Sequence, residues 1–314
     1  MTEWALRNYQ ESDLLALLEL INLADRVDQA GYATTVEALA HRLADLGMPA
    51  TDNVFVAESC DRLAGYVSLL LLQGVGHTRV VVHGIVHPDW RRKGIGTALV
   101  KRAQERARAL KSDEPLFLDM FVREPVAGAA ELATFLGLQP MRYFFYMECH
   151  DLQRLPEPVF PNGIRLRSYL VGQDEAAFVE ADCDAFSDHW GYVPHTLERE
   201  MHRVAAPEFR SEHNLLAVDQ GGRIAGLCLL MFPKVEGGIP HINPPLIDDL
   251  AVRPAYRRRG IGRALLLGGM HRIRDEGFSS AALAVDADNP KALGLYESVG
   301  FVVKFRSTGY RKEL

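Results

Sequence analysis

The sequence predicts a mixed α/β protein in which one domain of about 150 residues is written twice. Three observations predict it: a repeat running the length of the chain, strand-like and helix-like apolar patterns within each copy, and a proline-rich joint between them. Leu6-Arg7-Asn8-Tyr9 recurs as Leu166-Arg167-Ser168-Tyr169, and Gly31-Tyr32 as Gly191-Tyr192. Arg62-Leu-Ala-Gly65 recurs as Arg223-Ile-Ala-Gly226. Val86-His-Pro-Asp-Trp-Arg-Arg-Lys-Gly-Ile-Gly96 recurs as Val252-Arg-Pro-Ala-Tyr-Arg-Arg-Arg-Gly-Ile-Gly262. The order is the same in both copies and the spacing nearly constant, which chance does not produce.

In the first copy, Leu14, Leu17, Leu18 and Ile21 recur at helical spacing after a Ser12 or Asp13 cap, so residues 13–23 read as a helix. Val54–Ala57 and Leu63–Leu71 are apolar and β-branched around a polar Asp61-Arg62 turn, the pattern of a hairpin. Val80–Val86 reads as a buried strand feeding a helix over Thr97–Leu110. The joint carries Pro156, Pro158 and Pro161, which oppose helix and favour extended chain. The expected division is therefore 1–150, a linker 151–162, and 163–314. The second copy repeats the scheme: a helix over Glu175–Ala185, a hairpin of Leu215–Val218 and Ile224–Leu230 across Gly221-Gly222, the strand Ile247–Val252 and the helix Arg263–Glu276. A strand, helix and strand then follow over Ala281–Val285, Pro290–Ser298 and Phe301–Phe305.

Composition narrows the function. With 48% hydrophobic and 24% charged residues the 314-residue chain is of globular type, and Lys+Arg 35 against Asp+Glu 41 disfavours a nucleic-acid or anionic-membrane coat. Cys60, Cys149, Cys183 and Cys228 are scattered, with no C-x-x-C pair to signal zinc or a disulfide framework. His83 and His87 have no evident third ligand, and no metal is expected. The N-terminus has no signal-peptide pattern and no apolar run approaches the ~20 residues of a membrane helix, so a soluble cytoplasmic protein, monomer or homodimer, is expected.

The sharpest feature is the strand–Arg-x-x-Gly-x-Gly–helix junction, present twice. Such a turn aims several backbone N–H groups at one spot, at the positive end of a helix dipole. Arg91, Arg92 and Lys93, or Arg257, Arg258 and Arg259, add charge around it, so a diphosphate is the natural guest. A dinucleotide fingerprint needs a third glycine where Leu99 and Leu265 stand, and a Walker loop needs Gly-Lys-[Ser/Thr], which is absent.

V-x-P-x-[YW]-R-[RK]-[RK]-G-[IV]-G resembles the acetyl-coenzyme A motif of the GNAT N-acetyltransferase superfamily. The second half adds that family's closing pattern, Val285-Asp-Ala-Asp-Asn289-Pro-x-Ala292-x-x-Leu295-Tyr296-Glu-x-x-Gly300-Phe301. The resemblance covers nearly the whole chain and is of the bacterial two-domain type. It implies two tandem domains, each a mixed, mostly antiparallel sheet flanked by helices, and transfer of an acetyl group from acetyl-coenzyme A to a small-molecule or peptide amine by direct attack. Pyrophosphate would lie on Arg257, Arg258, Arg259, Gly260, Ile261, Gly262 and Arg263, and the pantetheine arm along Leu250, Ala251 and Val252. Asn289 matches a cofactor-contacting asparagine and also stands where a helix N-cap would precede Pro290; the two roles are compatible.

Tyr296 matches the tyrosine that protonates the departing thiolate, and contacts the cofactor; a core aromatic would stand at the same place. Asp248 and Asp249 precede the turn, and either could take the proton from the attacking amine. Matching favours Asp248, although alternation along a strand lets only one of the two face a given cleft. In the first half Ala133 stands opposite Tyr296, and Val82 and His83 replace the acids. That half is expected to be degenerate or structural. If it holds coenzyme A, Val86, Arg91, Arg92, Lys93, Gly94, Gly96 and Thr97 would do so.

The rival class is a non-catalytic acyl-coenzyme A sensor or scaffold, which retention of Tyr296 and both acids disfavours. The Asp188-His189-Trp190-Gly191-Tyr192 loop matches the region that covers the acceptor in the family; it equally suits a packing cluster. Asp182, Asp184 and Asp188 would suit a cationic acceptor. Antibiotics, polyamines, amino acids, thiol–sugar conjugates and protein N-termini all remain open as acceptors.

Overall fold

The computed structural model describes residues 4–60, 62–110, 114–206, 209–232 and 244–314; Asp61, half of the expected first hairpin turn, lies outside them. In chain order the elements are β1 (Ala5–Asn8), α1 (Leu14–Asp28), α2 (Val36–Ala44), α3 (Ala50–Asn53), β2 (Val54–Ser59), β3 (Arg62–Gln73), β4 (Thr78–Val86), α4 (Ile95–Arg108), β5 (Leu116–Arg123) and α5 (Ala129–Phe135). Then come β6 (Gln139–Cys149), β7 (Ile164–Ser168), α6 (Glu175–Phe186), α7 (Leu197–Val204), β8 (Asn214–Asp219), β9 (Ile224–Met231), β10 (Leu246–Val252), α8 (Ile261–Asp275), β11 (Ala281–Asp286), α9 (Pro290–Glu297) and β12 (Val302–Glu313). Mixed α/β architecture, written twice, is what the repeat implied.

The chain forms two compact units, residues 1–143 with 306–314, and residues 144–305. The first has strand order β1-β2-β3-β4-β5-β12 and the second β7-β8-β9-β10-β11-β6. Within each, only β4–β5 and β10–β11 run parallel among the described pairs. The expected cut at 151–162 differs from this division. That segment has no regular secondary structure, but the units divide inside β6 and β12, because Ser307–Glu313 pairs with β5 and Phe144–Cys149 pairs with β11.

Each sheet buries both faces. In the first unit Leu99, Val100 and Ala103 of α4 pack on one face with Val67, Leu69 and Val80, while Leu17, Leu20 and Ile21 of α1 cover Val54, Val56 and Tyr66 on the other. The second unit repeats this with α8 on one face and α6 on the other. The repeated glycine has a reason in packing. A Cβ on Gly226 would lie 2.7 Å from the Ala251 carbonyl, and one on Gly65 3.0 Å from that of Ile85. Thr35 and Thr196 cap α2 and α7 at equivalent places, accepting from the N–H of Ala38 and Arg199.

Candidate active site

Each parallel strand pair opens into a V. β10 pairs with β11 at Leu246 and Ile247, and no further pair is formed from Asp248 to Val252 among the described residues. β4 leaves β5 after Val82. The second unit adds a bulge: Ile247 opposes Leu230 and Asp249 opposes Leu229, so Asp248 is the extra residue. Strand β4 keeps regular register with β3 throughout, so the bulge belongs to one copy only.

Below each V lies the glycine turn. Arg258 (φ 67°) and Gly260 (φ 84°) are left-handed, as are Arg92 (φ 62°) and Gly94 (φ 82°). A non-glycine residue held there twice marks a conformation imposed by the surrounding turn. Two of the arginines are already employed. Arg257 donates to Asp188, to the Ala185 carbonyl and to the Val252 carbonyl, and Arg91 holds Asp28 in a double hydrogen bond at 2.8 and 2.6 Å. Both tie the end of the first helix of their unit to the turn. Arg258, Arg259, Arg92 and Lys93 have no acidic partner among the described residues; Lys93 rests on Trp90 and Arg259 on Tyr256. Arg263 donates to Ser298 Oγ at 2.6 Å.

The closing motif is placed as its spacing implies. Asn289 Oδ1 accepts from Ala292 N–H at 3.1 Å, capping α9. Tyr296 and Ala133 are equivalent: the N–H of Phe301 reaches the Tyr296 carbonyl and that of Leu138 the Ala133 carbonyl, around the left-handed Gly300 and Gly137. Tyr296 is buried in the core against α8, 6.1 Å from the Phe301 ring. Burial, with Cys228 and Asp249 nearby, pushes its phenol up to about 12, so it keeps its proton at neutral pH.

The second unit also holds a cavity of about 280 Å³, lined among others by Asp182, His189, Trp190, Tyr192, Arg203 and Asp249. Of the two strand acids Asp249 is thus the one facing the cavity. Burial, then the charges of Asp248 and Asp182, push its carboxyl up to about 8 against the pull of Arg203. Asp248 is reached by solvent, yet enough protein surrounds it that burial raises its carboxyl too. Asp182 is likewise raised by burial. Of the other loop acids, Asp184 pairs with Arg253 and Asp188 with Arg257, so only Asp182 of the three lines the cavity.

One group escaped the sequence reading. Glu200 on α7 is wholly buried and accepts from Tyr169 Oη (2.8 Å) and from Arg203 Nε (2.8 Å) and Nη2 (2.7 Å), with His195 Nε2 at 3.0 Å. Burial alone would raise its pKa, but Arg203, His195 and Tyr169 override it and hold the carboxyl at about 2. It braces His195 and Arg203, which line the cavity. Removing it leaves the buried Tyr169 phenol and the half-buried Arg203 guanidinium without their carboxylate, so Glu200→Ala is expected to cost about 3 kcal/mol in denaturant unfolding. A loss under about 1 kcal/mol would contradict this reading of the network. Its signal was local: a Thr196 cap followed by Glu200 and Arg203.

In the first unit a cavity of about 480 Å³ opens along the V, lined by Val86, Arg91, Arg92, Gly94, Gly96 and Thr97 together with His83, Met120 and Trp90. No group of three or more His, Cys, Asp or Glu among the described residues could hold a metal, and none of their helices is long and apolar enough to cross a membrane.

Residues 17–137 and 177–301 each match the model of the acetyltransferase (GNAT) family. The chain belongs to the GNAT acetyltransferase family. A mycothiol acetyltransferase of Parafrankia sp. is 29% identical over 98% of this chain and 97% of its own length, and one of Thermomonospora curvata is 35% identical over 76% and 75%. A GCN5-related N-acetyltransferase of Sphaerobacter thermophilus is 27% identical, with a TM-score of 0.75 over 100% of this chain and 96% of its own. A tandem GNAT protein from the clavulanic acid biosynthesis pathway, at 19% identity, shares the fold over 99% of this chain with a TM-score of 0.75. The chain is thus an acetyltransferase of tandem GNAT type that uses acetyl-coenzyme A as donor, and the V with its glycine turn fits that donor.

Proposed function

We propose that the unit formed by residues 144–305 is the working acetyltransferase and that the first unit has lost the chemistry while keeping the donor site. The backbone N–H groups of Arg258 to Arg263 would hold the pyrophosphate, assisted by Arg258 and Arg259. Leu250, Ala251 and Val252, which have no sheet partner toward β11 among the described residues, would pair with the pantetheine arm. Asp249, with Asp248 beside it, takes a proton from the acceptor's ammonium group. The free amine attacks the thioester carbonyl, and the tetrahedral intermediate collapses with loss of the thiolate, which takes its proton from Tyr296; the proton that the amide nitrogen then sheds returns to the phenolate, directly or through solvent, and restores Tyr296. The observation that carries this reading is the raised Asp249 carboxyl on the wall of a cavity, with the still protonated Tyr296 close enough to feel its charge.

The acceptor is an amine that arrives as a cation, because Asp182 and Asp249 both line the cavity and the charge of Asp248 reaches Asp249. The activity for which the mycothiol acetyltransferase relatives are named directs the choice within that class toward a mycothiol-type amine. The test is free-thiol release from acetyl-coenzyme A with a panel holding the unacetylated mycothiol precursor, polyamines, amino acids and N-terminal peptides. Turnover is expected for the first and weak or absent activity for the rest. Preference for an uncharged or anionic amine would contradict the reading. That the first unit also takes up coenzyme A is supported by its cavity along the V and by the matching left-handed turn at Arg92 and Gly94.

A further inference from the structure

The wall of the first unit's cavity that faces α1 carries a cluster no acetyl transfer accounts for. Its centre is His83. Counting from the Gly65–Val86 pair, His83 lies three pairs along β4, opposite Ser68; counting from Gly226–Val252, Asp249 lies three pairs along β10, opposite Leu229. The position that carries an acid in one copy carries an imidazole in the other.

Around it the charge is reversed as well. His83 Nδ1 is 2.8 Å from Tyr66 Oη, and its ring meets Tyr32 edge-on at 4.9 Å. The Arg123 guanidinium lies over the Tyr32 ring, 4.4 Å from its centre. All four side chains line the cavity of about 480 Å³. Of the nearby acids, Asp28 pairs with Arg91 and Glu124 with Arg306, while Asp25 accepts from the Tyr32 N–H at 2.8 Å; Asp25 and Asp28 line the cavity on its α1 side. Glu131, which also lines the cavity, is exposed. Arg123 has no ion pair among the described residues. A guanidinium stacked on an aromatic ring in a cavity, with no ion pair among the described residues, has the fork geometry that suits a carboxylate.

We propose that the first unit binds a small carboxylate on Arg123, with His83 and Tyr66 beside it, while the equivalent wall of the second unit receives a cation. Burial and the neighbouring Arg42 and Arg123 push the His83 imidazole down to about 3, so it serves as a neutral hydrogen-bonding group rather than a second cation. With Tyr66 donating to Nδ1, Nε2–H is the donor that remains. The carboxylate has two chemical sources, a free organic acid or the far end of a dicarboxylic acyl group carried on coenzyme A. Only the second source rests on the coenzyme A reading of this unit.

Calorimetry on the full chain separates them, using free succinate in one arm and succinyl-coenzyme A against its neutral near-isostere butyryl-coenzyme A in the other. Arg123→Gln is expected to weaken succinate, succinyl-coenzyme A, or both by about tenfold or more while leaving butyryl-coenzyme A unchanged, and Arg123→Lys to retain most of the affinity. Loss confined to succinyl-coenzyme A assigns the acyl tail; loss with free succinate assigns a free acid. On the unmodified protein, the ring nitrogen-15 resonances of His83 should move with the carboxylate ligand and stay in place with butyryl-coenzyme A added as far as the acyl tail is concerned. Equal binding of both carboxylates by the Arg123→Gln protein, or an unmoved His83 at saturating succinate and succinyl-coenzyme A, overturns the proposal.

Discussion

Asp249→Asn is expected to lower kcat/KM by about a hundredfold or more while the affinity for acetyl-coenzyme A stays close to that of the parent. The carboxyl is raised to about 8 by burial and by Asp248 and Asp182, and a base works only in its ionised form. The rate of the parent should therefore climb as pH rises through about 8 and level off above it. In the asparagine variant that limb disappears. Asp248→Asn separates the two acids: removing a like charge lets Asp249 ionise more readily, so the limb should move to lower pH with activity retained. A variant pair with the opposite behaviour, Asp248 essential and Asp249 dispensable, would transfer the base to the bulge. The same charge has a stability cost. A carboxyl whose folded pKa lies above its unfolded value favours the native state most at low pH and loses that advantage as pH rises toward about 8. Asp249→Asn should accordingly melt at or above the parent temperature at pH 9.

Tyr296→Phe is expected to cost about a hundredfold in kcat with little change in coenzyme A binding. The ring is buried beside Phe301, so phenylalanine keeps the packing and removes only the oxygen. Because burial keeps the phenol protonated to about pH 12, its proton is available across the working range. The leaving group supplies a control. An acetyl thioester of a more acidic thiol needs less help to depart, so the variant should be least impaired with such a donor. An equal loss with both donors would point to positioning rather than proton donation.

Much of this was legible because the repeat reports on itself. Two copies of Arg-x-x-Gly-x-Gly between a strand and a helix became two turns with matching left-handed residues, Arg92 with Gly94 and Arg258 with Gly260. The pairing of Tyr296 with Ala133 held because both precede the same glycine corner at Gly300 and Gly137. What escaped depends on partners distant in sequence. Leu116–Arg123 and Gln139–Cys149 received no assignment, and β12 runs well past the expected Phe305. Nothing local to either closing strand reveals that Ser307–Glu313 pairs with β5 and Phe144–Cys149 with β11. The bulge at Asp248 was hidden for a related reason: alternation along β10 says that the acids part company, and only register with β9 says which one faces the cavity.

The central claim is that the glycine turn ahead of α8 holds the donor for the chemistry done at Asp249 and Tyr296. Gly260 sits at φ 84°, where a β-branched residue is strained, so Gly260→Val should misshape that turn. Acetyl-coenzyme A titrated into the parent should bind, and thiol release with the acceptor should follow; the variant should keep its fold by circular dichroism and lose turnover. A Gly260→Val protein that turns over acetyl-coenzyme A at the parent rate would contradict it.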